Sequence, residues 1–241
     1  MRRLLLTLGL SLAAFFPCSL RADESAYSQL DSEIISRQDE ILSFWFGQLE
    51  NSYEWDAEKA KRWFNGNEAF DQTIDEAFGN DLLLASSGVY EELEKSPKGM
   101  LALIILFDQF PRNIFRGTPQ AFQFHRLAEE LTLKGIEAGF DRELFPIERQ
   151  FFYLPLMHSE NRDYQELSLQ IFQLLTEEAD ERNRDYFLHV ESYAKHHYEI
   201  VQKFGRFPHR NTILDRTNTI EEVEYLKLSA SSYGQSPTST Q

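Results

Sequence analysis

Apolar side chains recur at helical spacing along the first third of the chain, which predicts a series of amphipathic helices. Gly47 is placed to end the first of them, and Gly79 is the predicted end of the third. A shorter helix is predicted over Leu82 to Leu93. The positions that carry the pattern are Ile34, Ile35, Ile41, Leu42, Trp45, Phe46, Trp63, Phe64, Phe70, Ile74 and Phe78.

The run from Met100 to Phe107 is apolar on every side. Ser96 and Pro97 precede it and form a helix start, because serine caps the first turn and proline is tolerated at the first helical position. A buried strand is the competing interpretation. Since no other convincing strand is present to pair with it, we predict a central helix that is buried all round.

Further helices are predicted over Pro119–Glu137, Pro146–His158, Tyr164–Glu178 and Asp185–Lys203, and a last one begins near Thr219. Thr219 and Glu222 have the spacing of a capping box, which supports that start. We therefore predict an all-α fold with a single helical domain over residues 32–228. Residues 23–31 form a polar lead-in, and residues 229–241 are expected to be a disordered tail.

The N-terminus has the features of a signal peptide over residues 1–22. Two arginines precede an apolar run of 13 residues from Leu4 to Phe16, and Ala22 is a suitable last residue before cleavage. A membrane span needs about 20 apolar residues, so no stable span is expected after cleavage. We expect export, to a periplasm or by secretion. The alternative is a membrane anchor formed by an uncleaved N-terminal segment.

The charge and the cysteine content of the chain exclude several classes of partner and of reactive site. The formal charge is −15, and removal of the three arginines of the signal peptide would make it −18, which disfavours nucleic-acid partners. Cys18 is the single cysteine and lies in the signal peptide, so disulfides, thiol nucleophiles and cysteine-bound zinc are excluded from the mature chain. His189 and His196 stand about 10 Å apart along a helix, too far to share a metal ion. We predict neither a metal nor a cofactor.

The most informative feature is a short internal repeat of residue types, which we call the echo. The segment Asp108-Gln109-Phe110-Pro111-Arg112-Asn113 is answered by the segment from Phe204 to Asn211, which also contains Phe-Pro and Arg-Asn. We call them the first and second Phe-Pro segments. Each is predicted to lie at the end of a long helix, because proline disfavours helical geometry in the residue before it.

The arginines of these segments suggest an anion site. Arginine presents a planar fork that suits a carboxylate or phosphate, and asparagine can add an orienting amide. The two segments are predicted to converge into one polar site for a small anionic ligand. The alternative is that the arginines tie helix ends together and pair with Asp108. The candidate ligand-binding residues are Asp108, Gln109, Arg112, Asn113, Arg206, His209, Arg210 and Asn211.

His158 and Glu160 are the candidates for a catalytic role. His158 is able to carry a proton near neutral pH, with Glu160 orienting it or a neighbour. The competing interpretation is a histidine that caps or fills the end of an apolar helix. The phosphate-loop, dinucleotide-binding, serine-elbow and zinc-protease motifs are missing from the sequence, so no reaction is assigned.

Three long motifs give the chain a family resemblance. Together they resemble the bacterial domain of unknown function 924. The motifs are the run from Leu101 to Asn113, the run from Pro155 to Glu160, and His197 with the second Phe-Pro segment. The resemblance implies a tetratricopeptide-like helical fold and supplies no established activity. It adds His197 to the candidate ligand-binding residues.

Two departures from the family pattern stand out. Asp215 replaces the usual glycine beside Arg216, which places a carboxylate near the arginines, and an export signal is atypical for the family. Two functions follow from the sequence: a site for a small anionic ligand, or a helical scaffold for a protein partner in which the arginines are structural.

Overall fold

The structure, a computed structural model, describes residues 19–228, with side chains from residue 32 onward, and contains no strand in that range. None of the helices described is both long and apolar enough to cross a bilayer. The predicted signal peptide, apart from its last four residues, and the predicted tail lie outside the described residues. The helices are α1 Ser19–Phe46, α2 Ala57–Trp63, α3 Glu68–Ser86, α4 Pro97–Ile104, α5 Phe110–Ile114, α6 His125–Ala138, α7 Pro146–Met157, α8 Arg162–Glu177, α9 Arg184–Phe204 and α10 Ile220–Leu228.

Helix α4 lies at the centre of the domain, and the prediction of a helix rather than a strand there is confirmed. Every side chain from Met100 to Phe107 is buried. Helices α1, α6 and α7 all pack against α4, so no face of this run meets water. A helix with apolar residues on all sides needs such an arrangement of neighbours. The all-α, single-domain prediction is thereby confirmed as well.

The first Phe-Pro segment lies at the end of a long helical run, as predicted, but Pro111 does not stop the helix, which continues through the proline to Ile114. The chain widens into a π-helical segment, Ile105–Gln109, and continues directly into α5. The amide of Phe110 donates to the carbonyl of Ile105, five residues earlier. Because Pro111 has no amide hydrogen and its ring clashes with the carbonyl four residues before it, a regular α-helix is disfavoured there. The wider turn accommodates the proline without ending the helix.

Gly79 does not end α3, which continues to Ser86. The apolar face of the helix continues past the glycine through Leu82 and Ala85, which are buried like Ile74 and Phe78 before it. A glycine inside a helix costs only about 1 kcal/mol, and packing of this face outweighs that cost. The helix predicted from Leu82 is therefore the end of α3, followed by a separate 3₁₀ turn at Glu91–Lys95.

Other boundaries differ in smaller ways. Helix α1 includes residues 23–31, so the polar lead-in is helical. The helix predicted from Pro119 is divided into a 3₁₀ turn, Pro119–Phe122, and α6. Helices α7, α8 and α9 match their predicted ranges within two residues at each end, and successive members of this group pack on each other.

The second Phe-Pro segment follows a true helix end. Helix α9 stops at Phe204, and Gly205 adopts a left-handed conformation with φ of 72°. Phe207 then packs in a small apolar cluster with Ile200 and Val201 of α9. The predicted capping box is present at the start of α10. The amide of Glu222 donates to the hydroxyl of Thr219 at 3.2 Å, and the amide of Thr219 donates to the carboxylate of Glu222 at 2.7 Å.

Asp215 has a strained backbone, because its φ is 52° and the other positive φ angles of the described residues belong to glycines. We expect Asp215→Gly to stabilise the protein by about 0.5–1 kcal/mol, since glycine enters the left-handed region without a steric penalty. The exposed carboxylate is not needed by Arg216, which pairs with Glu160. Urea denaturation measures the change. Asp215→Ala is the control and should destabilise the protein; a lower midpoint for the glycine variant would contradict the assignment.

Candidate functional site

The two Phe-Pro segments meet on the ring of Phe122. The guanidinium carbon of Arg112 lies 5.4 Å from the centre of that ring, and the guanidinium carbon of Arg210 lies 5.0 Å from it. The two carbons are therefore no farther apart than the sum of those distances, about 10 Å. At that range two charges are not fully screened by salt. The structure thus brings the two arginines together through a residue that the sequence analysis did not single out.

Asp108 lies at the base of this site, in the π-helical segment, with its side chain fully buried. Its carboxylate accepts hydrogen bonds from Nη2 of Arg112 at 3.0 Å and from Nε2 of Gln109 at 2.5 Å, and it faces Nδ1 of His158 at 2.8 Å. Burial by itself would raise the pKa of Asp108. The charge of Arg112 and the contact with His158 outweigh burial and hold that pKa far below its ordinary value, so the carboxylate is ionised.

His158 is neutral at physiological pH. Burial, followed by the nearby charge of Arg112, lowers its pKa to about 4, against the opposing effect of Asp108. Because Nδ1 faces a carboxylate, Nδ1 carries the hydrogen and donates it, which leaves Nε2 as an acceptor. The carboxylate that orients this imidazole is Asp108 and not Glu160.

Glu160 and Arg206 instead hold the segments of the site in place. Glu160 pairs with both terminal nitrogens of Arg216 at 2.7 and 2.9 Å and accepts the amide hydrogen of Phe207 at 2.8 Å. Arg206 pairs with both carboxylate oxygens of Glu222 at 2.7 and 2.8 Å, which ties the second Phe-Pro segment to α10. For these two residues the structure shows the structural role that the sequence left open.

The two asparagines serve equivalent structural roles. The side-chain oxygen of Asn113 accepts from Arg116 at 2.9 Å, and Arg116 in turn pairs with Asp71 at 2.6 Å. The side-chain oxygen of Asn211 accepts from Nε of Arg216 at 2.9 Å, and Arg216 pairs with Glu160 as described above. Both amides thus orient an arginine toward a carboxylate of the protein itself. The echo in the sequence reflects this repeated arrangement.

The remaining candidate histidines are held neutral. His197 is buried on α9, its Nδ1 lies 2.8 Å from the carbonyl oxygen of Tyr193, and its ring centre is 6.4 Å from that of His158. Burial lowers its pKa well below the ordinary value. Burial and then the charge of Arg210 lower the pKa of His209 to about 3. Within the described residues no group of three or more metal-ligating side chains comes together.

Arg210 differs from the other arginines of the site because it is 5% exposed and has no carboxylate within ion-pair distance among residues 32–228. Its guanidinium carbon lies 4.3 Å from the ring centre of Phe207 and is also stacked on Phe122. Nη1 donates to the carbonyl of His158 at 2.9 Å, while Nε is buried without a partner. Burial, followed by the charge of Arg112, lowers the pKa of Arg210 to about 9. It therefore remains a buried cation at neutral pH, and the carboxylates of Glu160 and Asp108, which are paired with other arginines, act on it only from beyond ion-pair distance.

A cavity of about 460 Å³ opens beside this arginine. That volume is within the range of sites for small molecules. The second Phe-Pro segment supplies one wall of the cavity. The 3₁₀ turn Pro119–Phe122 and α6 supply another, and the loop after α7 supplies a third. The residues relevant to its chemistry are Phe122, His125, Glu129, Ser159, Tyr164 and Arg210.

His125 and Glu129 are the site residues that the sequence analysis missed. Nε2 of His125 lies 2.9 Å from Oε1 of Glu129, one turn apart on α6, although neither ring nitrogen completes a well-aligned hydrogen bond. Burial alone would raise the pKa of Glu129, but His125 and the hydroxyl of Ser159 lower it overall. Their spacing of four residues within the helix predicted over residues 119–137 was a usable signal.

Comparison with known proteins gives a family without an assigned activity. The family described as bacterial protein of unknown function (DUF924) matches residues 41–230. A solved structure of a protein of unknown function from Agrobacterium tumefaciens, ATU0120, is similar with a TM-score of 0.68 and 32% sequence identity. The similarity covers 81% of this chain and 99% of that one. None of the curated proteins compared with the chain matches it.

Proposed function

Starting from the fact that this chain belongs to the bacterial family of unknown function DUF924, we propose that it binds a small anionic ligand in the cavity beside Arg210. The observation that carries the proposal is a buried guanidinium group that lines a cavity and has no carboxylate partner among the described residues. A buried charge without a partner costs several kcal/mol of folding free energy. A ligand that supplies the missing negative charge offsets that cost.

The surroundings of Arg210 favour a carboxylate or a phosphate over a neutral ligand. The stacked rings of Phe122 and Phe207 fix the plane of the guanidinium group and exclude water from its faces. A rigid, partly desolvated fork recognises planar anions by paired hydrogen bonds, and such bonds are stronger than those between neutral groups. Arg112 lies within about 10 Å, but its charge is paired with Asp108, so Arg210 is the cation that the ligand would meet.

Catalysis on the bound anion is a further form of this proposal; His158 does not line the cavity itself and adjoins it through its carbonyl, which accepts a hydrogen bond from Arg210. His158 provides a neutral imidazole whose Nδ1 is held by the carboxylate of Asp108. This arrangement fixes the tautomer and leaves Nε2 able to accept a proton. The role would belong to His158 and Asp108, with Glu160 positioning the second Phe-Pro segment through Phe207 and Arg216.

The alternative proposal is a helical scaffold for a protein partner. The observation that favours it is that several arginines of the two segments are structural, since Arg206 pairs with Glu222 and Arg112 pairs with Asp108. A scaffold would not require Arg210 to bind a solute. Loss of anion binding on substitution of Arg210 therefore separates the two functions.

Isothermal titration calorimetry with inorganic phosphate and with succinate tests the proposed site. We expect Arg210→Ala to weaken binding of the preferred anion by at least about 30-fold, as truncation of one partner of a buried charge pair costs 2 kcal/mol or more. Arg210→Lys should recover only part of the loss, because lysine lacks the planar fork.

Arg182→Ala is the matched control, because Arg182 is an exposed arginine already paired with Asp180 at 2.7 Å. Its binding should equal that of the wild type. Equal binding by Arg210→Ala and the wild type, or no binding of either anion, would overturn the proposal.

A further inference from the structure

We infer that the ligand of this cavity is a small zwitterion, with an ammonium group for Glu129 in addition to the anionic group for Arg210. The inference rests on the proposed function and specifies the class of ligand. Of the charged side chains that line the cavity, Arg210 and Glu129 are the most buried; Arg210 has no carboxylate within ion-pair distance among the described residues, and the partner of Glu129 is the imidazole of His125 at 2.9 Å. A simple anion would satisfy only one of them.

Glu129 is unusual among the carboxylates near the site. Its side chain is 12% exposed, and among the described residues no lysine or arginine lies within ion-pair distance of it. Its neighbours are the imidazole of His125 and the hydroxyl of Ser159. Neither neighbour is a lysine or an arginine, so no permanently charged side chain of the described residues is paired with this carboxylate. The carboxylate therefore remains a favourable site for an ammonium group.

The two charges lie within reach of one small molecule because consecutive residues contact them. The carbonyl of His158 accepts from Arg210, and the hydroxyl of the next residue, Ser159, contacts Glu129. Ser159 is buried, and its hydroxyl also accepts the amide hydrogen of Asn161 at 3.0 Å. This loop after α7 thus joins the cationic and anionic sides of the cavity.

The rest of the cavity wall suits a short hydrocarbon link between the two charged groups. Phe122, Tyr164 and Leu214 contribute aromatic and aliphatic surface to the same cavity. Such surface favours apolar atoms without selecting a charge. The fitting ligands are amino carboxylates and amino phosphates, which share the ammonium group and differ in the anion.

Calorimetry with two matched pairs of probes tests the inference: β-alanine against propionate, and phosphoethanolamine against ethyl phosphate. Each pair differs by the ammonium group. The wild type is expected to bind the ammonium-bearing member about 10-fold more tightly or better, the effect of one charge-assisted hydrogen bond. Comparison of the carboxylate and phosphate pairs identifies the preferred anion.

Glu129→Gln keeps the shape of the side chain and removes its charge. It should abolish the preference within each pair while the affinity for propionate and ethyl phosphate stays within about 3-fold, or about 0.6 kcal/mol. Arg210→Ala should weaken all four probes. The exposed pair of Lys61 and Glu58 lies outside the cavity and provides the control, and Glu58→Gln should leave the preference unchanged.

The outcomes separate the inference from the proposed function. If propionate or ethyl phosphate binds through Arg210 but the ammonium group adds nothing, the inference is overturned and anion binding stands. If no probe binds, or Arg210→Ala binds them all unchanged, both fail. The comparison within the wild type decides the matter even where Glu129→Gln does not fold.

Discussion

Replacing Arg210 with methionine is expected to raise the free energy of unfolding by about 1–4 kcal/mol and to eliminate anion binding. Methionine fills a similar volume between Phe122 and Phe207, and it removes a buried charge that lacks an ion-pair partner among the described residues. Replacement of buried charges by apolar groups of similar size is often stabilising by this amount. A residue that destabilises the unliganded fold is typical of a functional site.

Arg112→Met is the matched control, because Arg112 also stacks on Phe122 but pairs with the buried carboxylate of Asp108. Removal of one partner of a buried pair costs about 3–5 kcal/mol, so this variant should be destabilised. Urea denaturation at pH 7.5 measures both changes. Equal destabilisation of the two variants would show that Arg210 is a structural residue and would favour the scaffold function.

The stability of the protein is expected to fall by several kcal/mol as the pH is lowered from about 6.5 to 4. An unfolded histidine has a pKa of about 6.5. In the folded protein, burial lowers the pKa of His158 to about 4 and that of His209 to about 3, and it also lowers the pKa of His197. Acid therefore protonates the unfolded chain first, and stability that is complete above pH 6.5 is lost through this window.

For His158 alone the loss is on the order of 3 kcal/mol, because each pH unit between the two pKa values corresponds to 1.36 kcal/mol. The groups that face this imidazole are Asp108, Arg112 and Arg210. Asp108 and Glu160, whose pKa values are lowered, contribute stability that is lost only below about pH 4.5. The window above pH 4.5 thus reports on the histidines.

Urea titrations at pH 7.5, 6.0 and 5.0 measure this dependence. His158→Gln removes one titrating group and should reduce the slope of unfolding free energy against pH. His189 is exposed, and His189→Gln should leave the slope unchanged. A wild-type slope of zero between pH 7.5 and 5.0 would contradict the assignment of neutral buried histidines.

The helical fold could be predicted from the sequence, because the apolar residues that pack the helices together are the same residues that recur at helical spacing. The run around Leu103 shows this most clearly, since only a helix surrounded by others explains it. Gly79 and Pro111 were misread as helix ends. Both are unfavourable locally, and in both cases tertiary packing or a wider turn keeps the helix going.

The site was predicted only in part. The echo indicated which residues share an environment, and it singled out Arg112 and Arg210. It did not show that Arg206 has a carboxylate partner and Arg210 has none among the described residues. Which carboxylate lies beside an arginine depends on how distant parts of the chain pack together. Glu222 and Glu160 reach their arginines across 16 and 56 residues, and no local pattern marks such pairs.

The π-helical segment before Pro111 also determines the angular phase of everything that follows it. Each residue of an α-helix advances the chain by about 100° around the axis, so one extra residue in a turn rotates α5 by roughly that angle relative to α4. Arg112 lies after this rotation, while the buried face of α4 lies before it. The guanidinium group therefore points toward Phe122 because of the extra residue in the turn as well as because an arginine occupies the position. A sequence that loses or gains a single residue at Leu106 or Phe107 would keep every side chain of the site and still lose its geometry.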